Sequence, residues 1–499
     1  MPAADCVTCR SGPGKLCTSP SWACAESQGQ SEASPLLPRY RSFTRLTRRG
    51  IPAPQGSSAH LCRASLVTVV VGLMLAVGCA TEAVAQVATD ARSPEYSLPV
   101  SEARHGIPAA LGYLMRQGFN STNAYYTGDQ NLYYFLHWEE FVPHSLVRRA
   151  GPVKELPEAR NDRIGSVSAE SSLGNMTLDR LLDDPRSRIQ GFLVVKDGVI
   201  LYEEYPGMRA DDHHLWFSTS KTLAALLVGL LEADGRIDVK QSIDYYMPEL
   251  GATHWRGIRV IDILDMATGL DLVENEQSRT SPMSSVGSFF RIELGDTSNL
   301  GQLTSDQILF AVGNKSAPGE VFEYSSLNTK MLGLLVERVS GKRLADFLSE
   351  RVWSKLGAEG DAQIGINREG GAAIYGMMSS RLRDKARYGM LYTPSWNKIA
   401  SEQVIPRQLV ERIQQGCRPD LYRQAALARA ANDPQEESRC NSRQWDAVFE
   451  DGDMYKGGAR GQGLYVSPAR NVVVVWFSTT SESGWMNYAR AIARLLADA

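Results

Sequence analysis

The sequence predicts an α/β (α+β) fold: an antiparallel sheet flanked by helices, built from both chain ends, with an inserted mainly helical domain. Three observations carry this expectation. Two β-prone runs, 192–195 and 199–202, meet at Lys196-Asp197-Gly198, and Asp-Gly between such runs is a strong hairpin signal. A second pair, 463–466 and 471–477, lies near the C-terminus around Ser467-Pro468-Ala469-Arg470. Between them the apolar spacing is helical, at 258–266, 329–339 and 344–356, so strands from distant parts of the chain must share one sheet.

From the N-terminus, residues 1–65 are rich in Ser, Pro and Arg, hold no apolar periodicity, and read as an unstructured leader, consistent with a start assigned too early. Cys6 and Cys9 have the gap of a zinc pair, but no second pair or nearby histidine completes a site. Arg48-Arg49 lies too far upstream of the apolar segment to fit a twin-arginine signal well. Residues 66–85 have the layout of a secretory signal peptide: Arg63 ahead, an apolar stretch over 66–77, and Ala83-Val84-Ala85 before Gln86. That stretch is short for a membrane span, which needs about 20 apolar residues. Cys79 offers a lipid anchor as the lesser alternative, because Ala76 stands where a lipoprotein signal usually has leucine. The expected location is therefore periplasmic or secreted.

Residues 86–160 read as an extended arm packed on the body. Residues 161–245 and 450–499 form the α/β domain, and 246–449 the mainly helical one, with a charged insertion at 417–440. After cleavage only Cys417 and Cys440 remain, and an oxidising compartment lets them pair; two free thiols are the alternative. With 53 basic against 56 acidic residues, nothing draws the chain to nucleic acid. A small-molecule ester, amide or peptide is the expected partner, with no cofactor and no metal.

The chemistry centres on Trp216-Phe217-Ser218-Thr219-Ser220-Lys221-Thr222, followed by Leu223, Leu226, Leu227 and Leu230 at helical spacing. A helix is predicted over 218–232, which puts Ser218 and Lys221 on one face. Spacing alone favours a simpler view, with Ser218 a helix cap and Lys221 a solvated first-turn residue. Ser395-Trp396-Asn397-Lys398 has the same spacing with no long apolar run behind it.

A nucleophilic serine needs a base. Of the seven histidines only His254 follows Ser218, too soon for the Ser-Asp-His order of an α/β-hydrolase, and no G-x-S-x-G elbow is present. His213-His214 has no H-E-x-x-H helix and reads as an exposed turn. Lys221 is then the nearest base, provided burial or a partner lowers its pKa. Tyr324, in Phe322-Glu323-Tyr324-Ser325-Ser326, supplies a phenol. Lys456-Gly457-Gly458-Ala459-Arg460-Gly461-Gln462 supplies a lysine and a glycine-rich strand start.

Ser218-x-x-Lys221, Tyr324-x-Ser326 and Lys456-Gly457-Gly458, in this order, resemble the S-x-x-K, Y-x-N and K-T-G motifs of the serine β-lactamase and penicillin-binding superfamily. The resemblance runs over about 161–499. Residues 191–205, 261–270 and 458–468 are most similar to the class C-like branch that holds the 6-aminohexanoate-dimer hydrolases and related esterases.

The resemblance implies an acyl-enzyme on Ser218, with Lys221 drawing off or relaying the proton. Tyr324, as phenolate or relay, would protonate the leaving group and then activate water. The N–H groups of Ser218 and Ala459, or of Gln462 if the third motif is read three residues later, would form the oxyanion hole. Lys456 would tune the tyrosine or hold a substrate carboxylate, with Ser326, Gly457 and Gly458 in support. Ser326 and Gly457 stand where class C β-lactamases carry asparagine and threonine, so efficient β-lactam turnover is not expected. A β-lactamase or D-Ala-D-Ala carboxypeptidase, and a non-catalytic binding protein that keeps the fold, are the alternatives to an ester or amide hydrolase.

Overall fold

A computed structural model describes residues 98–497 apart from 122, 126–127, 282, 297–299, 422–439 and 481–483. The leader, the signal segment with Cys79, and most of the charged insertion lie outside the described residues. What is described falls within one unit, 74–499.

The segment from residue 98 to 160 is not an extended arm. It forms α1 (Ala109–Gly118), a further short helix Gln130–Tyr134, and β1 (His144–Val147). Tyr134, Phe135 and Trp138 are buried, and the Tyr134 hydroxyl donates to the Met115 carbonyl at 2.7 Å. The clustered aromatics that the sequence displays are thus core, and burying them requires the compact helical path.

β2 (Ile189–Lys196) and β3 (Val199–Glu204) form the predicted hairpin, with Asp197 and Gly198 both at positive φ (53° and 82°), the conformation a two-residue type I′ turn requires. β4 (His214–Leu215) leads into the turn that carries Ser218 and then α2 (Lys221–Ala233). Then come α3 (Ser285–Glu293), α4 (Ser326–Ser340) and α5 (Leu344–Arg351). β5 (Ala362–Gly365), β6 (Met378–Ser380) and α6 (Leu382–Met390) follow. The chain closes with β7 (Cys440–Ser442), β8 (Trp445–Val448), β9 (Met454–Gly458), β10 (Gln462–Ser467), β11 (Val472–Ser478) and α7 (Trp485–Leu495).

Two predicted helices are shorter than expected. The one over 258–266 is confined to Val260–Leu264, with Met266 in the left-handed region at φ 54°. The one over 344–356 stops at Arg351, where Val352 leaves helical geometry before a separate 3-10 turn, Trp353–Lys355. α4 is longer than its apolar spacing suggests, because the Ser325 hydroxyl caps its start and Gly341, at φ 72°, its end.

The main sheet has seven antiparallel strands in the order β3-β2-β11-β10-β9-β8-β7. Its C-terminal part begins at Cys440, ahead of the boundary at 450 that composition suggests. The hairpin between β7 and β8 turns on Arg443 and Gln444, both at positive φ, and the absence of glycine there hides the turn from a sequence reading. A smaller antiparallel sheet runs β1-β5-β6-β4. A disulfide joins Cys417 to Cys440 across a separation of 23 residues, and closing a loop of that size stabilises by roughly 3 kcal/mol.

Alternation along the strands divides the core. Phe192, Val194, Val472, Val474 and Trp476 cluster with Trp485, Tyr488 and Ile492 of α7. Leu193, Val195, Val473, Val475 and Phe477 face the other way, into the larger core that includes Leu382 and Ala386 of α6 and the leucines of α2. A side-chain period of two sends neighbours to opposite faces, so both faces of the central strands are covered.

His214 is not on an exposed turn; it is fully buried in β4, and its neighbour His213 is half-buried. Its Nε2 lies 2.7 Å from Gln190 Oε1, its Nδ1 lies 2.9 Å from the Leu215 carbonyl, and its ring stacks on Phe477 at 4.3 Å. Burial pushes the imidazole down to about 3, against the pull of the Leu215 carbonyl and helped by Lys385. Between about pH 6.5 and 3 the unfolded chain therefore binds a proton that the folded chain refuses. The stability present above pH 6.5 is expected to fall through this window. Urea unfolding at pH 7 and pH 5 reads the loss, and His214→Gln should flatten it; an unchanged slope in that variant would assign the loss to other groups.

Candidate active site

The turn that carries the candidate nucleophile Ser218 is a single 3-10 turn, Phe217–Ser220, placed between β4 and α2. It is held from both sides: Leu215 N–H donates to the Phe135 carbonyl (2.9 Å) and Trp216 N–H to the Met378 carbonyl (2.7 Å). Phe217 sits at φ 47°, a conformation that costs a bulky residue about 1–3 kcal/mol and persists only when its surroundings fix it. Its ring is buried edge-on to Phe135 at 4.7 Å.

Three of the hydroxyls here serve the turn itself. Thr219 donates to the Trp216 carbonyl (2.8 Å), Ser220 to the Phe217 carbonyl (2.7 Å) and Thr222 to the Thr219 carbonyl (2.7 Å). Ser218 differs: among the described residues its hydroxyl serves no carbonyl of the turn but acts on the neighbouring Tyr324 phenol, whose pKa it lowers, and the residue keeps 9% of its surface.

Lys221, at the first position of α2, is fully buried. Among the described residues its amine donates to Ser326 Oγ (2.8 Å) and to the Tyr375 carbonyl (2.6 Å), rather than to Ser218. It also lies over the Tyr324 ring, 5.3 Å from the centroid. Burial pushes this amine well below the usual lysine range; Glu274 and Asp446 oppose the shift, while Lys456 and Arg279 add to it. Tyr324 moves the other way. Burial raises its phenol well above the usual value, the carboxylates of Asp446 and Glu274 add to the rise, and the Ser218 hydroxyl and Arg279 oppose it. Lysine and tyrosine are thus both biased towards their neutral forms.

Lys456, fully buried on β9, meets Asp446 of the adjacent β8 at 2.5 Å and stands over the Tyr324 ring at 4.9 Å. The other oxygen of Asp446 accepts the Gly457 N–H (2.9 Å), so one carboxylate fixes the first two of the three residues of the third motif. A Cβ on Gly458 would stand 2.7 Å from the Trp216 carbonyl oxygen, so this glycine lets β9 press against the nucleophile turn.

Among the described residues neither Ser218 N–H nor Ala459 N–H finds an acceptor. Gln462 pairs with Gly458 in the sheet, and its side-chain amide ties together the carbonyls of Ala459, Arg460 and Ser478.

The sequence reading missed four residues that this geometry includes: Glu274, Arg279, Tyr375 and Asp446. The Glu274 side chain is buried, accepts hydrogen bonds from Ser326 N–H and from Ser326 Oγ (3.0 Å), and pairs with Arg279. Burial alone would raise its carboxyl, but Arg279, Lys221 and the Ser326 N–H together hold it below the usual range. It lies 52 residues from Ser326, and no spacing in the sequence links them. Asp446 carries a faint signal, since it lies in a short apolar run ahead of Lys456. Among the described residues no group of three or more His, Cys, Asp or Glu side chains is placed to hold a metal, and no helix is long and apolar enough to cross a membrane.

The profile of the Beta-lactamase family matches residues 178–499. A 6-aminohexanoate-dimer hydrolase of Paenarthrobacter ureafaciens is 30% identical over 350 residues, covering 68% of this chain and 87% of that protein. Among solved structures, a Bacillus anthracis protein described as a candidate 6-aminohexanoate-dimer hydrolase superposes with a TM-score of 0.65 at 22% identity, covering 77% of this chain and 98% of the other.

Gly458→Ala is expected to destabilise the chain by about 1–3 kcal/mol, because a strand and a strained turn must separate to admit the methyl group. Chemical denaturation of the variant measures this; wild-type stability would show that β9 and the turn have room to spare.

Proposed function

Since the chain belongs to the Beta-lactamase family and is a serine hydrolase, we propose that it cleaves a small ester or amide through an acyl-enzyme on Ser218. The observation that carries this reading is the fully buried Lys221 amine, 5.3 Å from the centroid of the Tyr324 ring and on the same turn as Ser218.

In this reading Ser218 Oγ attacks the substrate carbonyl carbon while its proton leaves along Tyr324, with neutral Lys221 as the acceptor that makes the departure favourable. The C–O or C–N bond then breaks, and the proton returns through Tyr324 to the leaving oxygen or nitrogen. Water adds to the acyl-enzyme by the same route in reverse, releasing the acid and restoring Ser218. Because both groups are biased towards neutrality at rest, Tyr324 acts as a relay rather than as a standing phenolate.

The N–H groups of Ser218 and Ala459 receive the oxyanion, each worth roughly 3 kcal/mol. Ala459 is preferred to Gln462, which is occupied within the sheet and the turn. Lys456, held by Asp446 over the Tyr324 ring, favours transient negative charge on the phenol. Gly457 and Gly458 admit the close strand, and Ser326 holds the Lys221 amine. The named activity of the Paenarthrobacter relative makes linear amides the first class to try. Serine at 326 and glycine at 457 remove two hydrogen-bonding groups that a β-lactam would use.

Export is part of the proposal: residues 66–85 act as a signal peptide, the mature chain begins at Gln86, and the Cys417–Cys440 disulfide suits an oxidising compartment. N-terminal sequencing of the protein from a secreting host should begin at Gln86. A mature chain that retains residues before Leu66 would defeat export by this segment.

A fluorophosphonate probe should label the wild-type chain and not Ser218→Ala, and Tyr324→Phe should lose about 100-fold or more in turnover of a short acyl ester. An unlabelled wild type would overturn the acyl-enzyme, and a fully active Tyr324→Phe would remove the phenol from the mechanism. Parallel assays with acyl esters, aminohexanoate oligomers, D-amino peptides and β-lactams rank the substrate classes.

A further inference from the structure

We propose that Glu274 is a positioning residue for acyl transfer: acting through the Ser326 hydroxyl, and balanced by Arg279, it holds Lys221 as the proton acceptor. This rests on the Ser218–Lys221–Tyr324 reading given above.

The geometry is a directed chain. The Lys221 amine donates to Ser326 Oγ at 2.8 Å, and Ser326 Oγ donates onward to Glu274 Oε1 at 3.0 Å. A hydroxyl both accepts and donates at one atom, so it transmits the carboxylate's orientation to the amine. An asparagine at this position would accept from the amine on its oxygen and could donate onward only from a second atom, its side-chain nitrogen. The serine that departs from the Y-x-N pattern couples Glu274 to Lys221 through a single oxygen.

Burying a carboxylate costs several kcal/mol unless it is paired and hydrogen-bonded. Here the Ser326 N–H at the start of the 15-residue α4, the Ser326 hydroxyl and the Arg279 guanidinium all serve that end. Arg279 is held in turn over the Phe290 ring, 4.8 Å from the centroid. Such an arrangement sits beside the nucleophile rather than in the remote core.

The charged and titratable groups that face Lys221 are Glu274 and Asp446, both anionic, Lys456 and Arg279, both cationic, and the phenols of Tyr324 and Tyr375. Glu274 and Arg279 act on the amine with opposite sign. Removing the carboxylate disfavours the ammonium, and removing the guanidinium favours it. A structural role for the pair would give two variants that fail alike; a charge-setting role gives two that diverge.

The experiment is the pH dependence of the fluorophosphonate labelling rate of the full chain, which rises as Lys221 loses its proton. In Glu274→Gln the rise should move to lower pH by about one unit, with at least a tenfold slower plateau because the amine is no longer oriented. In Arg279→Gln it should move to higher pH by a similar amount. Glu274→Asp, which keeps the charge, should restore the wild-type midpoint. Unshifted midpoints, or shifts in the same direction, overturn the proposal. If Glu274→Gln fails to fold, the upward shift in Arg279→Gln, whose side chain is 22% exposed, decides the matter alone. A wild type that does not label at any pH overturns the acyl-transfer reading and this inference with it; a labelling wild type with unmoved variants overturns the role of Glu274 only.

Discussion

A lysine amine sits where water does not reach it, at the first turn of a helix whose leucines form part of the central core. Its burial disfavours the ammonium, and the neighbouring groups are arranged around that fact. The Tyr375 carbonyl and the Ser326 hydroxyl accept its hydrogens. Two carboxylates, Glu274 and Asp446, and two cations, Lys456 and Arg279, act on it with opposite sign. The partners are themselves held. The Tyr375 hydroxyl donates to Glu293 at 3.2 Å, and Glu293 forms a buried ion pair with Lys330 of α4 and accepts from Asn367. Breaking such a pair strands a charge in the core, which is why it fixes the loop more firmly than an exposed bridge would.

The same logic governs the strand side. Lys456 and Asp446 lie next to each other on β9 and β8, so an ordinary cross-strand pair places a cation over the Tyr324 ring. Gly458 brings β9 to the Trp216 carbonyl, close enough that the Ser218 and Ala459 N–H groups serve one substrate oxygen in the proposed reaction. The strain at Phe217 belongs to this packing. A left-handed phenylalanine is tolerable because Phe135, from the N-terminal segment, and Met378, from the small sheet, hold the turn on either side. The N-terminal segment thus takes part in shaping the turn that carries Ser218.

Some of this was legible without coordinates because it depends on local periodicity and turn chemistry. The Asp197-Gly198 hairpin, the apolar run behind Lys221 and the two C-terminal strands follow from side-chain alternation and from residues that tolerate positive φ. The turn at Arg443-Gln444 was not legible, since neither residue type advertises a left-handed conformation. The helical course of the N-terminal segment was missed because its aromatics have no strict period. His214 was misread for a related reason: two polar rings side by side suggest a surface, and only the stacking on Phe477 and the contact with Gln190 show that one of them is core.

By itself the sequence determined the fold class, through strand alternation and helical spacing, and it singled out the serine, the lysine and the phenol as candidates, because each lies in a short motif whose order along the chain is readable. Only the tertiary structure decided the electrostatics. Glu274 and Ser326, Asp446 and Lys456, and Ser218 and Tyr324 are brought together by helix packing and strand register. How far an amine or a phenol is moved from its usual range depends on burial and on charges a few ångströms away. Those distances are properties of the folded chain, and no local pattern of residues encodes them.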